Sequence, residues 1–273
     1  MEVIILGSGS PLPDPERAGP STLVRVAGYD FLFDCGRGVL MRSAAVPVLP
    51  VSFKAVLFTH LHGDHTSDFN DVVTMRWVMS PGPNPLHVIG PVGTQKFVGA
   101  TLKALESDIG YRLTHHEDLK AGPELITQEV EQGVVLENGE VKITASPTDH
   151  RPVHPSVGFR VEAEGRSVVI ASDTIPCDGL DSLCVDADVL IQTVIRKSLV
   201  EAVPSQRFQD ILDYHSDTED AGRTAARGRV KTLVLNHCVP APPPGTEDEW
   251  IAEAAAHFSG KILVSHDLLR IVV

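Results

Sequence analysis

Three imidazoles and a carboxylate fall within six residues, His60-Leu61-His62-Gly63-Asp64-His65, and no other stretch constrains this chain so strongly. Nitrogen and oxygen donors of this kind are the ones zinc takes, so a fold that carries them must let them converge. Ala55 to Phe58, immediately before, is a short apolar run that reads as a buried strand. The cluster therefore begins beyond the C-terminal end of a strand, where loops commonly carry ligands. A histidine-rich turn or a surface pH sensor is the competing reading, but it gives no reason for that placement. Gly63 is expected to let the backbone turn tightly, so that Asp64 and His65 reach a second metal while His60 and His62 hold the first.

The pattern around this cluster is mixed. Val3 to Leu6, Leu23 to Val26 and Phe31 to Phe33 read as strands separated by glycine and proline turns. Helical spacing follows over Asp68 to Met79 and again over Gly93 to Ile109, after a strand at Leu86 to Ile89. A second β-rich stretch begins near Glu124. It includes Val134 to Leu136 and Val141 to Ala145 about Asn138-Gly139, then Val157 to Val161 and Ser167 to Ala171 about Glu164-Gly165. Strands at Val189 to Ile191, Leu233 to Leu235 and Ile262 to Val264 alternate with helices at Gln206 to Leu212, Glu219 to Arg227 and Asp248 to Phe258. A meander plus helices in each half fits two mixed sheets packed face to face with helices outside, a four-layer αβ/βα sandwich. No linker interrupts the order, and residues 1–273 are expected to form one domain.

Composition narrows the function. Thirty-six acidic residues against 23 basic ones give a formal charge of −13, which repels phosphate backbones unless cations are concentrated locally. No apolar run approaches the roughly 20 residues that cross a bilayer, and the amino terminus lacks the pattern of a signal peptide, so a cytoplasmic location without membrane attachment is expected. Cys35, Cys177, Cys184 and Cys238 form no Cys-x-x-Cys pair and read as reduced, buried small residues. Arg196-Lys197 and Arg207 read as a solvated charged face, with a small anion-binding patch as the alternative.

The His-x-His-x-Asp-His segment after a strand resembles the signature of the metallo-β-lactamase superfamily. Further motifs occur in its order: Thr148-Asp149-His150-Arg151 with Val157-Gly158-Phe159-Arg160, Ala171-Ser172-Asp173-Thr174, and Leu235-Asn236-His237. These resemble the ribonuclease Z and arylsulfatase-like branch, from Leu6-Gly7-Ser8-Gly9-Ser10-Pro11 and Phe33-Asp34-Cys35-Gly36 to the last histidine. The resemblance implies two Zn(2+) ions per chain. His60, His62 and His150 would hold the first and Asp64, His65 and His237 the second, with Asp173 and a hydroxide bridging them. His154 is the rival to His150, and Asp149 and Asp34 are either orienters of ligand imidazoles or turn residues. Tyr214-His215-Ser216-x-x-Glu219-x-Ala221 resembles the segment bearing an additional active-site histidine, which makes His215 the proton-donor candidate beside the catalytic Asp64.

Such a site implies a metal-dependent hydrolase of ester bonds. By resemblance the substrate is a phosphodiester, as in the removal of a tRNA 3′ trailer, and the chain forms a homodimer. Two features set this chain apart. The branch normally places a tRNA-gripping arm between the third histidine and the bridging aspartate, but His150 and Asp173 are only 23 residues apart. Its His-Glu-Ala-Thr segment is replaced by Gln192-Thr193-Val194-Ile195, which removes a glutamate expected to support the proton-donating histidine. A small or unstructured ester is thus the expected substrate, with RNA 3′ ends among the candidates. An arylsulfatase or a carboxylic-ester or lactone hydrolase is the alternative, and a non-catalytic metal-binding protein the third reading.

Overall fold

Alternate residues of the first strand already define three layers: Val3 and Ile5 enter one apolar cluster and Ile4 and Leu6 another, on the opposite face. A strand buried on both faces needs something packed on each side, and here these are a second sheet and a set of helices. In this computed structural model, which describes Met1 to Val273, the strands are β1 (Glu2–Gly7), β2 (Ser21–Val26), β3 (Tyr29–Phe33), β4 (Phe53–Leu57), β5 (Leu86–Gly90) and β6 (Leu125–Glu129) in the first sheet. The second sheet takes β7 (Gly133–Glu137), β8 (Val141–Pro147), β9 (Val157–Ala163), β10 (Arg166–Ser172), β11 (Val189–Ile195), β12 (Thr232–Val239) and β13 (Lys261–Val264). The last strand, β14 (Leu269–Val272), returns to the first sheet and pairs antiparallel with β1.

Each sheet is antiparallel on one side and parallel on the other. In the first, β14, β1, β2 and β3 alternate in direction, then β3 to β6 run parallel. In the second, β7 to β10 alternate and β10 to β13 run parallel. Inner faces interlock in the central cluster, where the Phe33 and Phe159 rings meet across the sheets at 5.6 Å. Outside, Phe69, Val72 and Val98 carry helices Phe69–Met79 and Thr94–Ala104 onto the first sheet. Leu180, Ala221, Ala225 and Trp250 carry helices Asp178–Cys184, Thr218–Arg227 and Glu247–Ala255 onto the second. No helix is long and apolar enough to cross a membrane.

Several elements differ from expectation. The helix expected over Gly93 to Ile109 is two, Thr94–Ala104 and Glu106–His115, joined at Leu105; the second buries none of its residues. Apolar spacing at Val98, Leu102, Leu105 and Ile109 runs through the junction, so periodicity cannot reveal the break. Leu125 to Glu129 does not open the second β-rich stretch: it closes the first sheet by pairing parallel with β5 after the helical crossover. Gln206 to Leu212 is one turn of α-helix continued as a 3₁₀ turn.

The loops at one end of the sandwich press close together. A Cβ at Gly36 would stand 2.3 Å from the Gly19 carbonyl carbon and 2.7 Å from the Asp64 carbonyl oxygen, both rigid backbone. Gly82, by contrast, has open space around it. Gly36→Ala should lower unfolding free energy in urea by about 1–3 kcal/mol, the usual cost of overpacking, while Gly82→Ala stays close to the parent.

Candidate metal centre

Strand ends set the positions of the seven candidate ligands. His60 follows β4, and Gly63–Thr66 is a short helical turn that presents Asp64 and His65. His150 lies in the β8–β9 connection, Asp173 follows β10, and His237 is within β12. Irregularities aim the last two: the β10–β11 register shifts between Ile170 and Ser172, and the β11–β12 register between Thr193 and Ile195. Such bulges commonly redirect a side chain beside a functional site. Ser172 and His237 have φ of 57° and 49°, in the left-handed region that non-glycine residues seldom occupy, at a cost of about 1–3 kcal/mol each.

Hydrogen bonds at the outer edges of the rings decide what faces inward. His150 Nδ1 lies 2.9 Å from the Tyr214 carbonyl, which can only accept, so Nδ1 carries the proton and Nε2 is bare. His60 Nδ1 lies 3.1 Å from the Thr59 hydroxyl, and that hydroxyl donates to Asp34 Oδ2 at 2.8 Å, which leaves Nδ1 as the donor and His60 Nε2 bare as well. His62 Nδ1 stands 3.1 Å from His60 Nε2 and 3.4 Å from His150 Nε2. Burial lowers the proton affinity of all three, pushing His150 to about 4 and His60 well below the usual histidine range. One proton on His62 can satisfy only one of the two facing lone pairs. A cation satisfies all three, and nitrogens bound at 2.0–2.1 Å around tetrahedral zinc stand about 3.3 Å apart.

The second group is Asp64, His65 and His237. His237 Nε2 lies 3.2 Å and His65 Nε2 3.6 Å from Asp64 Oδ2. His65 Nδ1 donates to Asp34 Oδ2 at 2.9 Å. Between the groups, Asp173 Oδ2 is 3.4–3.9 Å from Nε2 of His60, His65, His150, His215 and His237. His65 Nε2 and Asp173 Oδ1 are buried without a hydrogen-bond partner, the mark of a site built for something else. Burial alone would lower His65 and His237 and raise Asp173. The carboxylates and imidazoles facing one another outweigh it, so both histidines are raised and Asp173 is held well below the carboxylate range. Protons therefore supply positive charge where a metal would supply it, and metal binding would displace them. The donors of both groups suit a metal ion.

The structure brings all seven expected residues together. His154 is exposed and outside both groups, while His150 is fully buried within one. Asp149 pairs with exposed Arg151 and orients no ligand; Asp34 orients His65 directly and His60 through Thr59. Gly63 does not have a positive φ and has room for a Cβ, so the turn depends on the helical start at Gly63 and not on glycine's freedom. His215 Nδ1 lies 3.0 Å from the Ile211 carbonyl, a main-chain acceptor in place of the glutamate that the resemblance suggests. Gln192 Nε2 instead donates to Ser216 Oγ at 2.9 Å. Of the three cations expected to form a charged face or a small anion patch, Arg196 is engaged by Glu249 and Glu253 and Lys197 lies 4.0 Å from Glu201, whereas Arg207 has no carboxylate partner. Sequence reasoning missed Thr59 and the Tyr214 and Ile211 carbonyls; main-chain acceptors leave no residue-type signal.

A two-sheet αβ/βα sandwich with this His/Asp centre at its strand ends is the metallo-β-lactamase fold, and the β-lactamase superfamily domain matches residues 29–238. Over 275 aligned positions the chain is 54% identical to ribonuclease Z of Mycolicibacterium paratuberculosis, covering all of this chain and 98% of that protein. It is 52% identical to ribonuclease Z of Mycobacterium tuberculosis with the same coverage. The human short-form tRNase Z superimposes with a TM-score of 0.74 at 22% identity, over 100% of this chain and 99% of that one. The chain belongs to the ribonuclease Z family. Because Asp34 holds imidazoles on both sides of the centre, Asp34→Ala should weaken zinc affinity about 10–100-fold, read by competition with a chromophoric chelator.

Proposed function

We propose that the protein is a ribonuclease Z-type phosphodiesterase that binds two zinc ions and removes 3′ extensions from tRNA, leaving a 3′-hydroxyl. The observation that carries this reading is the convergence of two donor groups on Asp173, with His215 Nε2 at 3.4 Å from the same carboxylate. His60, His62 and His150 would hold one ion, Asp64, His65 and His237 the other, and Asp173 would serve both. When bound, zinc supplies Lewis acidity toward a phosphodiester and a water acidified to near neutrality. Asp34, Thr59 and the Tyr214 carbonyl keep the imidazole lone pairs turned inward. The Ile211 carbonyl fixes the Nδ1 proton of His215, leaving Nε2 as the atom that can relay a proton to the departing 3′ oxygen.

The short interval between His150 and Asp173 is occupied mainly by β9 and β10. It does not weigh against this activity, because 275 aligned positions leave no place for an inserted arm in the mycobacterial ribonuclease Z either. By family membership the same reading makes the enzyme a cytoplasmic homodimer of one-domain chains; light scattering on the eluted protein checks the dimer.

Zinc-loaded protein should shorten a 3′-extended tRNA, and a chelator should abolish this. His215→Ala should lower kcat by about 10²–10⁴-fold while two zinc ions per chain are retained by plasma mass spectrometry. Turnover of nitrophenyl sulfate or a lactone well above any phosphodiester would overturn the assignment in favour of the sulfatase or lactonase reading.

A further inference from the structure

The chain carries a formal charge of −13, while the substrate class proposed above is a polyanion. Such a protein needs uncompensated cations at its binding face. Apart from buried Arg76, whose guanidinium is spent mainly on main-chain carbonyls, every arginine has a carboxylate partner except Arg37 and Arg207. Arg151 follows His150 directly and has the position for a substrate contact, but Asp149 neutralises it.

Both exceptions lie on segments that touch residues of the metal centre. Arg37 follows Gly36, whose backbone abuts that of Asp64, and Cys35 N–H donates to the His65 carbonyl at 2.7 Å. The exposed Arg37 side chain is anchored by NH2 to the Ser10 and Pro11 carbonyls, each at 3.3 Å, which fixes its place without cancelling its charge. Arg207 is exposed on the turn Gln206–Gln209, just ahead of Ile211, the residue that orients His215. Asp210, three residues on, accepts from Gln206. One free charge thus lies on the Asp64–His65 side and the other on the His150–His215 side. Among the lysines without an ion pair, Lys54, Lys120, Lys142 and Lys261 lie near or ahead of the starts of β4, β6, β8 and β13, at the opposite end of the sheets. Lys96, exposed in the first turn of the helix Thr94–Ala104, is a further cation without an ion pair at the metal end.

We infer that Arg37 and Arg207 contact backbone phosphates of the RNA on either side of the metal centre. This rests on the ribonuclease Z reading for the class of ligand. Guanidinium groups are suited to the task because their planar fork matches two phosphate oxygens.

The test is equilibrium binding of fluorescein-labelled mature-length tRNA, which cannot be shortened, to zinc-loaded protein at several salt concentrations. Arg37→Ala and Arg207→Ala should each weaken binding three- to tenfold or about that, and flatten the slope of log Kd against log salt by about 0.7–0.9, the share of one phosphate contact. Arg37→Lys should keep the slope. Arg229→Ala removes the same charge from an exposed pair with Asp186 and serves as the control. If both variants bind no more weakly than the control, or if the parent does not bind tRNA, the inference is wrong. If binding depends on both arginines but the zinc-loaded parent leaves a 3′-extended tRNA intact, the phosphate contacts stand and the ribonuclease Z reading fails.

Discussion

A buried carboxylate with five imidazole nitrogens within 3.9 Å is the feature on which the rest of this structure depends. Asp173 is almost wholly shielded from water and one of its oxygens has no hydrogen-bond partner. Burying a charge costs several kcal/mol unless opposite charge is brought to it. Protons on His65 and His237 meet that need in the metal-free protein. Burial lowers the proton affinity of the three remaining candidate imidazoles, His60, His62 and His150, and a single proton on His62 Nδ1 leaves one of the two facing lone pairs unsatisfied, which a cation would relieve. Electrostatics of the site therefore calls for metal in one group through charge and in the other through crowded lone pairs.

The fold supplies this convergence from strand ends on two different sheets. Parallel strands β4, β10 and β12 all finish at the same end of the sandwich, and each hands over a candidate ligand within a few residues. Two of those ends are bulged, and Ser172 and His237 adopt left-handed backbone to complete the turn of the side chain. Such strain persists because the surrounding core is over-determined: the central cluster continues from Leu57 and Ile170 to within three residues of His60 and Asp173. A rigid floor beneath the site also explains why Gly36 tolerates no extra atom.

Much of the fold was legible in the sequence, because alternating and helical apolar spacing reports burial and burial is what these elements share. The convergence of the candidate ligands was legible for a different reason: residue type restricts metal chemistry at His60 to His65, and the resemblance picked out His150, Asp173 and His237, which the structure brings to the same centre. What stayed hidden depends on geometry alone. Nothing in Leu125 to Glu129 tells which sheet will take it, since an edge strand satisfies its pattern in either. The break at Leu105 falls in register with the helical period on both sides. Thr59, Ile211 and Tyr214 act through a hydroxyl or a main-chain carbonyl, groups that no spacing rule singles out.

The Ile211 carbonyl has a consequence for charge. A glutamate beside His215 would fix its tautomer equally well, but would add a negative charge next to a centre meant to receive a phosphodiester. In an enzyme already at −13, each further anion near the mouth raises the cost of approach for RNA. A carbonyl offers a neutral acceptor with the same direction. It also ties the histidine to the segment that carries Arg207, so the proposed proton carrier and a free cation belong to one short stretch of chain. On the proposed roles of His215 and Arg207, orientation of the proton carrier and attraction of the substrate would both come from the connection between β11 and the helix Thr218–Arg227.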